Sequence, residues 1–215
     1  MKESITANEI ISMMTKVSEK MINSLEILTD ADKMGDGDHG IGMKRGFTAV
    51  LKTLDDLSDS KDNNLKSVFM NIGKTLMMNT GGASGAIFGT MYRSGGMLLE
   101  GKNELNAENF AKFLAGGLNG VMERGKAKPG DKTVIDALFP AATASAQAAA
   151  ENKTLSEALQ KAVNAAKKGV EKTKQMTATT GKAKTLGNRT IGHLDPGALS
   201  VSIMLETMSN WLENK

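Results

Sequence analysis

The stretch Asp30-Ala-Asp-Lys-Met-Gly-Asp-Gly-Asp-His-Gly40 sets four carboxylates and an imidazole within eleven residues. Like charges this close repel one another and become tolerable when a hard divalent cation shares their oxygens; Mg2+ prefers carboxylates together with phosphate and water. The glycines at 35, 37 and 40 let the backbone fold tightly enough to aim alternate side chains at one point. A solvated acidic turn is the plain alternative for an isolated Asp-x-Asp, but here a further Asp, the His and the glycines accompany it. An EF-hand fails on spacing. Counting from Asp30, Gly35 fits the sixth place, but Met34 stands at the fifth and Ile41 at the twelfth, where an oxygen ligand and a Glu are required.

Three further stretches put glycine beside polar groups. Thr80-Gly-Gly-Ala-Ser-Gly85 has no apolar period and stands where a helix should begin, so its N–H groups can face an anion; close helix packing through small residues is the other reading. Gly125-Lys-Ala-Lys-Pro-Gly-Asp-Lys-Thr133 reads as a turn at Pro129-Gly130 leading into a helix that Asp131 could cap. The segment from Thr180 to Gly197 is too long and glycine-rich for a simple connector, and its Lys182, Lys184, Arg189 and His193 suit a polyphosphate. Carboxylates for Mg2+, glycine-rich helix starts and a basic loop together make the parts of a Mg-nucleotide site. No Walker A pattern is present, so this is not a P-loop enzyme.

The elements that must hold these stretches are helices. Thr6-x-x-Glu9 is a capping box, followed at helical spacing by Ile10, Met14, Val17, Met21, Leu25 and Leu28, which predicts one long helix ending at the acidic loop. Met43 to Leu57 and Leu65 to Leu76 repeat the period. Asn106 can cap a helix carrying Phe110, Phe113, Leu114, Leu118 and Val121, and Val134 to Ala150 is alanine-rich. Thr154-x-x-Glu157 is a second capping box, and Asp195-Pro196 is an N-cap with proline at the first helical position. No β-branched alternation competes, so the fold class is all-α, with about eight helices including a glycine-rich one near 84–99. The 15 methionines fall mostly at core positions and read as packing residues.

A chain of 215 residues, 40% hydrophobic, supports one sizeable core, and residues 1–215 are expected to form one domain. Its 27 basic and 24 acidic residues are spread along the chain, and one Trp and one Tyr give no base-stacking surface, so nucleic acid is not an expected partner. The absence of cysteine removes disulfides and thiolate chemistry. With no signal-like N-terminus and no membrane-length apolar run, a cytoplasmic location is the expectation.

The motifs Gly35-Asp-Gly-Asp-His-Gly40, Gly81-Gly-Ala-Ser-Gly85 with Phe88-Gly-Thr90, Arg124 to Thr133 and Leu186 to Ala198 resemble, in order and over nearly the whole chain, the nucleotide-binding L subunits of dihydroxyacetone kinases. The resemblance implies an antiparallel barrel of eight amphipathic helices holding the nucleotide at one end. It implies three aspartates binding two Mg2+ ions that bridge the phosphates of ADP or ATP; Asp36 and Asp38 carry over directly. The family's first ligand lies one residue further upstream, where this chain has Ala31, so Asp32 is assigned on a one-residue deletion, with Asp30 in reserve. His39, Gly40, Ile41, Gly42, Ala83, Ser84, Gly125, Val134, Asp195, Pro196 and Gly197 are expected to line the nucleotide pocket. Lys182 stands where the family commonly has Arg, which keeps the charge but loses planar bidentate contact with phosphate.

A chain of this length leaves no room for a substrate-binding module, so a partner is expected. The family pattern makes the chain the subunit that relays a phosphoryl group from a phosphohistidine donor protein of the phosphotransferase system, through Mg-bound nucleotide, to dihydroxyacetone held on a K-type subunit, with a homodimer as the expected assembly of the chain itself. No residue of the chain need be a nucleophile. The alternatives are a subunit of an ATP-dependent kinase for another short ketose such as erythrulose, and a nucleotide-sensing regulatory protein.

Overall fold

Thr6 with Glu9, Asn64 with Ser67, and Thr154 with Glu157 close reciprocal hydrogen bonds between side chain and backbone, each fixing where a helix begins. The computed structural model describes residues 2–60 and 63–215. In chain order it contains β1 (Ser4–Thr6), α1 (Ala7–Asn23), α2 (Leu25–Ala31), α3 (His39–Ser58), α4 (Leu65–Asn79), α5 (Gly82–Met97), β2 (Glu104–Asn106), α6 (Ala107–Gly125), α7 (Ile135–Ala150), α8 (Leu155–Thr173), a 3-10 segment (Lys182–Thr190) and α9 (Pro196–Glu213).

The helices run alternately up and down, each packed on the next, and α9 returns to α1, so α1 and α3–α9 close an eight-membered barrel. Helix α2 is a short continuation of α1 that packs on α3 and α9. The inner stripes supply Met14, Val17, Met43, Phe47, Phe69, Ile72, Phe88, Phe110, Leu138, Leu159 and Val201, all buried. Fully burying one such side chain contributes roughly 1.5–3 kcal/mol, so this shared core sustains the barrel. Met13, Met14, Met21, Met43, Met91, Met204 and Met208 are core residues, whereas Met78 and Met97 are exposed, so the methionines divide between interior and surface.

Three local features differ from the sequence reading. The predicted single helix from Ile10 to Leu28 breaks at Ser24, whose hydroxyl donates to the Lys20 carbonyl (2.8 Å) while its own N–H bonds Met21 rather than continuing the ladder. Strands β1 and β2 pair antiparallel across a hundred residues of sequence, Ile5 opposite Leu105, and form a two-stranded ribbon that no local alternation marks. Asp131 does not cap α7: its carboxylate takes the Lys128 N–H, and Asp136, one turn later, accepts from Gly130 (2.6 Å) and Thr133 (2.8 Å).

Helices α4 and α5 meet backbone to backbone. A Cβ on Gly89 would stand 2.8 Å from the Gly73 carbonyl oxygen and 2.8 Å from the Met77 Cβ, closer than such atoms pack. Gly89→Ala is therefore expected to force the two helices apart and lower stability by about 1–3 kcal/mol, measured by chemical denaturation.

Candidate nucleotide and metal site

After α2 the chain turns at Asp32, whose carbonyl accepts the Gly35 N–H (2.7 Å), and passes Gly37 at φ +71° before α3 begins. This tight path brings carboxylate oxygens of Asp32, Asp36 and Asp38 within 4.8 Å of one another. Asp32 is further fixed by the His39 N–H (3.1 Å). Asp30 points away and pairs with Lys33 (3.1 Å). The Lys182 ammonium pairs with Asp36 and lies 3.4 Å from Asp38, a cation drawn to the same oxygens. Three hard oxygen donors on an open loop, already attracting a positive charge, fit Mg2+.

Opposite this loop is the start of α5. Gly81 adopts φ +78°, which a side chain would resist, and α5 begins without a side-chain cap, so the first-turn N–H groups of Gly82, Ala83 and Ser84 have no intrahelical partner and line the cavity. The turn is held against α3 because Gly42 and Gly46 leave space for Thr80; a Cβ on Gly42 would stand 3.0 Å from the Thr80 carbonyl oxygen. Arg45 donates from Nε to Asn79 O (2.7 Å) and from its guanidinium to Thr80 O. The glycines in this motif therefore serve both close packing and an open helix start.

His39 ties the two sides together. Its Nδ1 lies 2.9 Å from the Ser84 hydroxyl and its Nε2 lies 2.8 Å from that of Ser200, which itself donates to the Pro196 carbonyl (3.0 Å). The Ser200 hydroxyl is thereby left to accept Nε2–H, and Nδ1 accepts from Ser84. Burial pushes the imidazole down from 6.5 to about 4, so it is neutral at pH 7.

The remaining wall comes from the starts of α7 and α9 and the segment between α8 and α9. Ile87, Phe88, Val121, Ala127, Val134, Ile135 and Leu194 give it an apolar side. The cavity measures about 450 Å³, within the range of small-molecule sites. Asp195 caps α9 through the Ala198 N–H (2.7 Å). Burial, with Asp136 and Asp32 nearby, pushes its carboxyl up to about 7 against the opposing pull of Ala198 and Lys132.

Of the residues singled out in the sequence, Asp32, Asp36, Asp38, His39, Ile41, Gly42, Ala83, Ser84, Gly125, Val134, Lys182, Asp195, Pro196 and Gly197 line this one cavity. Gly40 is the exception. Its Cα faces Leu25 and Thr29, where a Cβ would strike the Leu25 carbonyl and the Thr29 hydroxyl, so it serves the α2–α3 contact instead. Lys184 and Arg189 are exposed and do not line the cavity, whereas His193 does. Sequence reasoning missed Arg45 and Lys132. Arg45 falls on an ordinary amphipathic helix, and Lys132 sits in what reads as a surface turn.

Fold and site together define a helical-barrel domain with a carboxylate trio and open helix starts around one nucleotide-sized cavity. The chain belongs to the DAK2 domain family, whose model matches residues 33–210. It is 35% identical to the ADP-binding subunit of the PEP-dependent dihydroxyacetone kinase of Escherichia coli, over 96% of this chain and 97% of that one. It is 32% identical to the ADP-binding subunit of the PTS-dependent dihydroxyacetone kinase of Lactococcus lactis, over 95% and 97%. Among solved structures, the C. freundii dihydroxyacetone kinase in complex with AMP-PNP and Mg2+ superposes with a TM-score of 0.71 at 25% identity, covering 98% of this chain and 35% of that longer one.

The buried imidazole gives a pH test in chelated buffer. Because the unfolded chain takes up the proton near pH 6.5 and the folded chain only near 4, His39 should remove up to about 3 kcal/mol of stability as pH falls across that window. Denaturation midpoints against pH should therefore fall less steeply in His39→Gln than in the parent chain, and the His39 ring signals should titrate with a midpoint near 4.

Proposed function

We propose that this chain is the ADP/ATP-binding subunit of a dihydroxyacetone kinase, taking a phosphoryl group from a phosphohistidine donor of the phosphotransferase system onto its Mg-bound nucleotide and delivering it to dihydroxyacetone on a separate K-type subunit. The observation that carries this reading is the placement of the Asp32, Asp36 and Asp38 carboxylates across one cavity from the uncapped start of α5. Its end-to-end likeness to ADP-binding subunits favours this role over a stand-alone enzyme.

Asp32, Asp36 and Asp38 would hold Mg2+, which when bound neutralises phosphate charge in a loose transfer transition state. The N–H groups of Gly82, Ala83 and Ser84 present the positive end of α5 to phosphate oxygens. Lys182, on a flexible exposed stem, supplies a further charge that can turn from the carboxylates to phosphate. Ile87, Phe88, Val134 and Leu194 take the flat apolar face of a base and exclude water. The chain's two histidines, His39 and His193, both face this cavity, which leaves neither for holding a ketose elsewhere.

Asp36→Asn and Asp38→Asn are expected to lower Mg2+-dependent ADP affinity by more than about tenfold, the loss seen when even a supporting neighbour of a metal ligand is removed. Circular dichroism should not change, since both side chains are exposed. Asp32→Ala should cost much more than Asp30→Ala, whose carboxylate faces Lys33; titration calorimetry on the four variants checks this, and equal losses at Asp30 and Asp32 would move the ligand assignment.

The purified chain should not phosphorylate dihydroxyacetone at a measurable rate with ATP alone. Adding a K-type subunit and the phosphohistidine donor should give turnover without stoichiometric ATP, followed as dihydroxyacetone phosphate formed. Many turnovers on ATP and the K-type subunit without the donor would instead make it an ATP-dependent kinase, and turnover by the chain alone would overturn both.

A further inference from the structure

The segment between α8 and α9 leaves the barrel at Thr173, passes over the cavity and returns at Asp195. Its two ends are drawn together by the Asp195 N–H on the Thr173 hydroxyl (3.0 Å) and the Gly192 N–H on the Lys174 carbonyl (2.7 Å). This is the geometry of a compact loop with a closed neck. Thr180, Gly181, Lys182 and Ala183 are the residues it brings to the cavity from its far side.

The neck is filled by a side chain from another element. Lys132, only 6% exposed, directs its ammonium to the carbonyls of Thr173 (2.6 Å), Met176 (3.2 Å), Thr190 (2.8 Å) and His193 (2.6 Å). Two of these acceptors lie on the outgoing strand of the loop and two on the returning one, so three ammonium hydrogens serve four acceptors on both sides. The Asp136 and Asp195 carboxylates act on the same charge from the starts of α7 and α9. Lys132 also sits at φ +58°, a backbone conformation that an ordinary side chain resists, which aims its stem inward from the turn. A buried ammonium costs free energy unless it is fully hydrogen-bonded, and here every donor is spent on holding backbone.

We propose that Lys132 is a positioning residue: a peg through the loop neck that holds Thr180 to Ala183, with Lys182, over the cavity. It is not a ligand of phosphate, because its hydrogens are already engaged. That the loop so held serves a nucleotide rests on the function proposed above; the peg itself does not.

The test uses Lys132→Met in the full-length chain, with Lys128→Met, an exposed lysine of the same turn, as control. In nucleotide-free protein, amide exchange within 174–193, at Ala178 and Gly192 above all, should quicken by about tenfold or more, while α4 and α5 keep their protection. If the loop is then correctly placed only about a tenth of the time, the dissociation constant for ADP in Mg2+ should rise about tenfold. Mg2+ binding without nucleotide should not weaken, because the carboxylate trio belongs to another segment and loosening the loop only draws the competing Lys182 ammonium away from it. Where Lys132→Met does not accumulate folded, Lys132→Gln, which keeps two donors, should show the same pattern at smaller size. Unchanged exchange in the loop would overturn the peg, as would exchange quickened throughout the barrel, which would make Lys132 a residue of general stability. Weakened ADP binding with a loop still protected would instead make it a direct ligand. Loosening of the loop with ADP affinity intact would keep the peg and remove the loop from the nucleotide site.

Discussion

In a closed barrel of eight alternating helices, four N-termini must gather at each end, and each brings roughly half a positive charge with unpaired N–H groups. The two ends meet this demand differently. At the far end α1, α4, α6 and α8 all receive a hydrogen bond from their own N-cap side chain, Thr6, Asn64, Asn106 and Thr154. At the cavity end only α9 does, from Asp195, while α7 relies on Asp136 reaching back to the turn before it. Helices α3 and α5 begin without a side-chain cap, and these two starts flank the acidic loop and the glycine-rich turn. At the far, sealed end the helix starts are satisfied from within; at the cavity end two are left open, a setting that favours negative charge beside the carboxylate trio and the cation it would hold.

His39 shows how the open end is kept rigid without being filled. A neutral imidazole between two serines joins α3 to α5 and α9 through directional bonds, and its burial suppresses a positive charge that would compete with a metal ion for the carboxylates beside it. Arg45 does comparable work from the outside, fixing the carbonyls just before Gly81 so that the turn keeps its shape. Preorganisation of this kind is what positions reacting groups in transfers that need little covalent help.

Much of this arrangement is legible in the sequence because it rests on local signals. Capping boxes, an Asp-Pro helix start and apolar spacing depend on residues three or four apart, and they mark the helix beginnings at Thr6, Thr154 and Asp195 where the structure has them. The acidic loop is legible for the same reason. What escapes is set by distant partners. The break at Ser24 turns on a hydroxyl's choice between solvent and a carbonyl one turn back; the pairing of Ile5 with Leu105 requires the barrel already closed. Gly40 reads as one more loop glycine, yet its neighbour is Leu25. Lys132 reads as surface because its acceptors lie 41 to 61 positions further on.

The ribbon of β1 and β2 has a mechanical consequence. By joining the N-terminal strand to the lead-in of α6, with the Lys2 backbone bonded to Ser156 as well, it laces three separate parts of the chain together at the sealed end. A cylinder stitched at one rim can splay only at the other, like a drawstring bag held by its base. Opening of the barrel is therefore expected to start at the cavity rim, where the side-chain ties of His39, Arg45 and Lys132 resist it.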